Sequence, residues 1–253
     1  MNSPLSLASS LLASAITMPH GVFSEHRKEQ PAQPLALYDM ENCPHCRLVR
    51  QALTSLDLDA LIYPCPKGGE RFRSFVTNAG GKAQFPFLID PNTGQQLYES
   101  TRIVSYLYDT YSRRHGWALR VPLLSKPPVI AASAIRQSNG LHVQASRVPE
   151  KPLQLWSFEA SPFARLVRER LCELELPYYL HNVGKTDLTE LLPPGLRARW
   201  LPDYTPVSTN RNKLKAQAGR VQVPYLMDPN TNTSLFESAD ILRYLNKRYA
   251  RKR

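Results

Sequence analysis

The chain repeats itself. Leu35, Leu37, Glu41, Pro44, Arg47, Leu48, Val49, Arg50, Leu53, Leu56 and Leu58 reappear 118 positions later as Leu153, Leu155, Glu159, Pro162, Arg165, Leu166, Val167, Arg168, Leu171, Leu174 and Leu176. A second block, Pro86, Leu88, Asp90-Pro91-Asn92-Thr93, Leu97, Glu99-Ser100, Ile103, Tyr106-Leu107 and Tyr111, returns at an offset of 138 as Pro224, Leu226, Asp228-Pro229-Asn230-Thr231, Leu235, Glu237-Ser238, Ile241, Tyr244-Leu245 and Tyr249. The second copy is therefore about 20 residues longer. The extra residues fall between His181 and Arg220, where Pro193-Pro194-Gly195, Trp200 and Pro202 read as an inserted surface loop over about residues 186–212. Ala13-Ser14-Ala15-Ile16 and Gly21 likewise match Ala132-Ser133-Ala134-Ile135 and Gly140, so the repeating unit is an arm followed by a domain.

Two small domains suit 253 residues of which 42% are hydrophobic. The expected division is an N-terminal arm over 1–34, a first domain over 35–112, a basic connector with a helical segment over 113–152 and a second domain over 153–253. No apolar run reaches the roughly 18 residues of a membrane span, so a soluble, cytoplasmic chain is expected. A secretory signal is a poor reading of Met1–Ile16, which lacks a basic start, and an organelle address is the alternative localisation. Leu5, Ala8, Leu12, Ala15 and Ile16 follow helical spacing and predict a short amphipathic helix packed on its own domain.

Each copy reads as strand, helix, strand, helix, hairpin, helix. In the first, Leu35–Met40 alternates as a strand, and Leu48, Val49, Ala52, Leu53 and Leu56 mark one buried helical stripe. Asp59–Tyr63 is a second strand and Gly69–Asn78 a second helix. Phe85–Ile89 and Gln95–Tyr98 flank the turn residues Asp90–Gly94, and Ser100 reads as the N-cap of a last helix. That order is of the thioredoxin type, giving an α/β fold of mixed four-stranded sheets flanked by helices.

With these residues in place, each copy is similar to a glutaredoxin and, more closely, to the N-terminal domain of glutathione S-transferases. The marks are Cys43-Pro44-His45-Cys46 or Ser161-Pro162-Phe163-Ala164 at the first helix, Phe85-Pro86 or Val223-Pro224 before the third strand, and Glu99-Ser100 or Glu237-Ser238 before the last helix. The resemblance covers Leu35–Tyr111 and Leu153–Tyr249 and leaves the arms unexplained. An all-helical C-terminal domain, which supplies most of a transferase's second-substrate pocket, is not expected here.

Cys43 would sit at a helix N-terminus, where unpaired N–H groups and the helix dipole stabilise a thiolate, which makes it the candidate nucleophile. Cys46, one turn further in, could attack the mixed disulfide that Cys43 forms. The Cys-Pro-His-Cys quartet also resembles that of the bacterial periplasmic disulfide oxidase, which implies an oxidising couple. No second Cys-x-x-Cys or spaced His pair completes a zinc site, so no metal is expected, with a glutathione-bridged iron–sulfur cluster as the alternative that the glutaredoxin resemblance leaves open. Cys65 and Cys172 read as ordinary thiols.

The resemblance implies that glutathione is the cosubstrate or ligand, held by His45, Lys82, Phe85, Pro86, Glu99 and Ser100 in the first copy and by Val223, Pro224, Glu237 and Ser238 in the second. With a cis bond before Pro86, Phe85 would pair with the cysteinyl backbone of glutathione. Glu99 and Ser100 would take the γ-glutamyl ammonium and carboxylate, and Lys67 or Lys82 the glycyl carboxylate. A plain cap at Ser100 and a solvated Glu99 is the structural alternative. Ser161 either activates a bound thiol, as in serine transferases, or merely caps its helix.

Net charge is +11, with Arg113, Arg114, Arg120, Lys126, Arg136, Arg147 and Lys151 in the connector and Lys247-Arg248 and Arg251-Lys252-Arg253 at the end. Without an aromatic-basic motif this reads as a solvated face, with peripheral membrane contact at most and no specific nucleic-acid partner. The expected function is glutathione-linked thiol–disulfide exchange through Cys43 and Cys46 on a disulfide-containing or glutathionylated protein client, the second domain binding glutathione or that client. A transferase-like activity at Ser161 and a non-enzymatic glutathione-responsive module are the alternatives.

Overall fold

The computed structural model describes residues 4–17, 20–112, 126–192, 194–201 and 204–251. The connector arginines Arg113, Arg114 and Arg120, and Lys252 and Arg253, lie outside them.

The first half runs β1 (Leu35–Asp39), α2 (Pro44–Ser55), β2 (Ala60–Pro64), α3 (Arg73–Gly80), β3 (Phe87–Asp90), β4 (Gln95–Tyr98) and α4 (Ser100–Tyr111), after a leading helix α1 (Pro4–Thr17). A second leading helix, α5 (Lys126–Ile135), precedes β5 (Leu153–Ser157), α6 (Pro162–Glu173), β6 (Tyr178–Asn182), α7 (Pro194–Trp200), α8 (Thr209–Ala218), β7 (Tyr225–Asp228), β8 (Thr233–Phe236) and α9 (Ser238–Arg248). Pro44 and Pro162 open α2 and α6 where a missing N–H costs nothing. Each hairpin turn is pinned to the last helix by one aspartate: Asp90 accepts from Asn92, Tyr106 and Tyr111, and Asp228 repeats this with Asn230, Tyr244 and Tyr249. That explains why these residues recur together.

In each half the first two strands are parallel and the hairpin antiparallel, as the thioredoxin-type order requires. The halves then join edge to edge, because β2 pairs antiparallel with β6, giving one eight-stranded sheet of order β4-β3-β1-β2-β6-β5-β7-β8. Leu61 faces Tyr179 at the centre of this seam, flanked by the pairs Ala60–Leu180 and Ile62–Tyr178. Leu61 and Tyr179 are repeat equivalents, so a pseudo-two-fold axis passes between them and the contact is isologous. One apolar core runs across the seam from Leu35 and Leu53 to Leu155 and Leu171.

Beneath the seam the repeated Glu and Arg positions meet as a buried ionic cluster. Arg50 Nε donates to Glu159 at 2.9 Å, and Arg168 Nη2 reaches Glu41 at 3.1 Å and Glu159 at 3.1 Å. Arg47 lies 3.4 Å from Glu159, and Arg50 also binds Asp39. Burial alone would raise the Glu159 carboxyl, but Arg168, Arg50 and Arg47 outweigh it and hold the group down at about 2. Such a cluster stabilises only while complete, since one missing partner leaves an uncompensated buried charge.

Two expectations need correction here. The leading helices do not pack chiefly on their own domains: α1 packs on α6 and α5 on α2, the two meeting each other between the halves. Lys185 pairs its backbone with the Val22–Ser24 stretch, accepting from Ser24 and donating to Val22, and Lys67 pairs in the same way with the Leu141–Val143 stretch, so the first part of each arm is exchanged before the chain returns to its own half at Glu25 and Gln144. The face of α1 is reversed as well. Ser10, Ala13, Ser14 and Thr17 are buried, while Leu5 (80% exposed), Ala8, Leu12, Ala15 and Ile16 face outward, because two helices crossing closely need small side chains between them. The other correction concerns the insertion. It is not a plain surface loop: it forms a 3-10 turn at Leu188–Leu191 and α7, with Pro194 at the first helical position, and Ser208 caps α8.

Among the described residues no helix is long and apolar enough to cross a membrane.

Candidate functional site

Cys43 occupies the N-cap of α2 in an extended conformation (φ −95°, ψ 123°), and no side chain caps the helix there. Cys46 follows one turn in and is fully buried, its sulfur 3.5 Å from the Met40 N–H, while Cys43 is 8% exposed. The hydrogen bond donated by the Cys46 thiol, helped by the backbone N–H groups of Cys46 and His45 and the His45 ring, pulls Cys43 down to about 6 against the effect of burial. Burial and the neighbouring Cys43 push Cys46 well up. At neutral pH the pair is therefore one thiolate and one thiol, which makes Cys43 the nucleophilic member.

His45 Nδ1 lies 3.5 Å from Ser100 Oγ, which brings the start of α4 to the start of α2. Phe85–Pro86 and Val223–Pro224 are both cis, as the family resemblance implies. Ser100 is the first residue of α4 and not its cap; the cap position falls to Glu99, at φ 68° and ψ 115°. Glu237 has nearly the same angles, φ 63° and ψ 120°, at the start of α9. A left-handed φ is costly for a side chain larger than glycine, and its recurrence at equivalent positions is the mark of a constrained site. Gln84 Nε2 donates to Glu99 and Gln222 Nε2 to Glu237, holding each carboxylate over its helix start. Both glutamates are exposed, as the structural alternative of a solvated Glu99 expects.

Lys67 and Lys82 are exposed, whereas the cation against Phe85 is Arg73, its guanidinium 4.6 Å from the ring centroid. Sequence reasoning missed Arg73, although Arg211 stands 138 residues after it and the repeat could have found both.

In the second half Ser161 caps α6, its Oγ accepting the Ala164 N–H at 3.3 Å. A cavity of about 440 Å³ opens at this helix start. It is lined by Ser161, Pro162, Gln222, Val223, Pro224, Glu237 and Ser238, together with Phe158, Phe163, Lys185, Arg211 and the inserted Glu190, Leu191 and Leu192. Arg211 Nε binds Glu190 at 2.8 Å in the wall. Sequence reasoning missed Lys185, although it stands 118 residues after Lys67 and the repeat could have found it. It also missed Glu190, which lies in the insertion and has no counterpart in the first copy, and Arg211, which stands 138 residues after Arg73 in the equivalent helix. Cys65 and Cys172 are buried with thiols pushed up, chiefly by burial, in keeping with ordinary thiols. Among the described residues no cluster of three or more metal-ligating side chains occurs.

Two thioredoxin-type halves, each with a helix N-terminus, a cis-proline strand and a Glu-Ser helix start, define a protein of the thioredoxin-fold class. The family model for the glutathione S-transferase N-terminal domain matches residues 37–115 and again 155–253, and the chain belongs to that family. Among solved structures it is similar to the Bombyx mori glutathione transferase BmGSTD1, at 28% identity over 34% of this chain and 39% of that enzyme, with a TM-score of 0.31. It is also similar to Leishmania TDR1, described as a unique trimeric glutathione transferase, at 14% identity over 87% of this chain and 68% of the other, with a TM-score of 0.29. No curated protein matches it.

Proposed function

We propose that this protein is a glutathione-linked thiol–disulfide oxidoreductase working through Cys43 and Cys46, and that its second half binds glutathione or a client without redox chemistry of its own. The observation that carries this is the pair at α2: a thiol lowered to about 6 beside one that is buried and raised. The Cys43 thiolate attacks the glutathione sulfur of a mixed disulfide, the S–S bond breaks to leave Cys43 joined to glutathione, and the departing client thiolate takes a proton from water. Either glutathione thiolate or Cys46 then attacks the new Cys43 disulfide. The first route releases oxidised glutathione directly; the second releases reduced glutathione and leaves a Cys43–Cys46 disulfide, which two further glutathione molecules reduce. Glu99 and Ser100 would hold the γ-glutamyl end and Phe85 the cysteinyl backbone, with Arg73, Lys67 or Lys82 near the glycyl end.

A second reading is favoured by the cavity at Ser161. Its oxygen accepts from Ala164, which leaves its proton free to meet a thiolate, so glutathione transfer there is the competing activity.

The test is glutathione-dependent reduction of a small mixed disulfide, coupled to NADPH oxidation through glutathione reductase. Turnover should vanish in Cys43→Ser and persist in Ser161→Ala. Wild-type turnover no greater than background removes the oxidoreductase reading, and conjugation lost only in Ser161→Ala establishes the other.

A further inference from the structure

Glu41 lies two residues before Cys43, in the loop that delivers it to the helix start. Its own half supplies part of what holds that loop: Cys43 N–H bonds to the Met40 carbonyl at 3.0 Å, and Arg50 Nη2 to the Glu41 carbonyl at 2.8 Å. The rest comes from the other half. Cys172 Sγ accepts the Glu41 N–H at 3.5 Å, and Arg168 Nε reaches both carboxylate oxygens at 3.1 and 3.2 Å.

The arrangement is reciprocal. Glu159, the equivalent of Glu41, has its N–H accepted by Thr54 Oγ1 at 3.2 Å and its carboxylate held by Arg50. Thr54 and Cys172 are themselves repeat equivalents. They differ in element and polarity, yet both present an acceptor atom at the γ position, to the same amide, across the seam. A position needed only to fill space would be served by any small apolar side chain.

We propose that Cys172 and Arg168 are positioning residues for Cys43, so that the half lacking a Cys-x-x-Cys pair serves as part of the active-site framework of the half that reacts. This rests on the reading of Cys43 as the nucleophile. The thiolate is stabilised by the N–H groups of His45 and Cys46 and by the Cys46 thiol, all of which depend on where the loop sets the start of α2. Removing the γ acceptor strands a buried amide, which the loop can satisfy only by moving.

The test compares Cys172→Val with Cys172→Thr, two side chains of one shape that differ in the hydroxyl. The readout is the pH dependence of iodoacetamide alkylation at Cys43, followed on the Cys43 peptide by mass spectrometry, with thermal unfolding in parallel. Cys172→Val should raise the alkylation midpoint by about half a pH unit, roughly threefold slower reaction below both midpoints, and Cys172→Thr should restore the wild-type value. Should the β-branched pair not fold, Cys172→Ala against Cys172→Ser differs in the same single oxygen. Midpoints equal to wild type in all variants, or shifted alike with and without the acceptor, overturn the proposal. Wild-type protein without disulfide turnover would remove the oxidoreductase reading yet leave this alkylation comparison intact.

Discussion

At the end of α2 the chain turns through Asp57, which is fully buried at φ 51°. Its Oδ2 takes a long 3.4 Å bond from the Arg27 N–H, and its Oδ1 has no hydrogen-bond partner. Burial first, and then the neighbouring Asp59, push this carboxyl up to about 7. A folded-state value above the unfolded one means that folding tightens proton binding. The stability contributed is then full below about pH 4 and is lost as pH rises through about 7. From an unfolded value near 3.8, the wild type should lose about 2 kcal/mol through this one group between about pH 5.5 and 8.5, at roughly 1.4 kcal/mol per unit of unmatched titration. An asparagine in its place cannot ionise, tolerates the left-handed conformation and keeps an acceptor for Arg27. Urea unfolding across that range should therefore show Asp57→Asn gaining on the wild type by about 2 kcal/mol toward the alkaline end. Parallel stability curves for the two proteins would refute the reasoning.

Alkylation of Cys43 should titrate with a midpoint near 6, while Cys46 stays unreacted until well above its ordinary range; peptide mass spectrometry separates the two. Gly21→Ala should lower stability by about 1–2 kcal/mol or more in urea unfolding, because its φ is +72° and a Cβ there would sit 3.0 Å from Glu159 Cβ. In a Cys43→Ser background, calorimetric titration with glutathione should lose at least about tenfold in affinity in Glu237→Ala if the cavity holds the γ-glutamyl end, as a lost charge-assisted bond costs about 1.5–3 kcal/mol. Residues 153–251 expressed alone expose β6 as a free edge and should self-associate in light scattering at concentrations where the full chain does not.

The elements of each half were legible in the sequence because they rest on local signals. Alternation around Leu35, the stripe through Leu48 and Leu53, the turn at Asp90–Gly94 and the prolines at 44 and 162 act within a few residues of chain. The Cys43–Cys46 pair and the Pro86, Pro224, Glu99 and Glu237 positions were legible for the same reason, each being a residue type with one local task. Much of what failed involved a partner far along the chain. The outward turn of Leu5 and Leu12 follows from α1 meeting α5, and no periodicity within Pro4–Thr17 records that meeting. The cap assigned to Ser100 moved one residue because Glu99 takes a left-handed angle that its side chain gives no reason to expect.

The sequence by itself determined that there are two related thioredoxin-type halves, which of them keeps its sulfurs, and where each candidate site lies along its half. Repetition and short-range chemistry carry that information. Only the tertiary structure decided that the two sheets become one through β2 and β6, that the leading helices cross to the opposite half, that Glu41 and Glu159 are held by the opposite half, and that the open cavity lies on the half without the Cys-x-x-Cys pair. Those outcomes depend on how edges, small faces and buried charges pair at long range, which residue order alone does not encode locally.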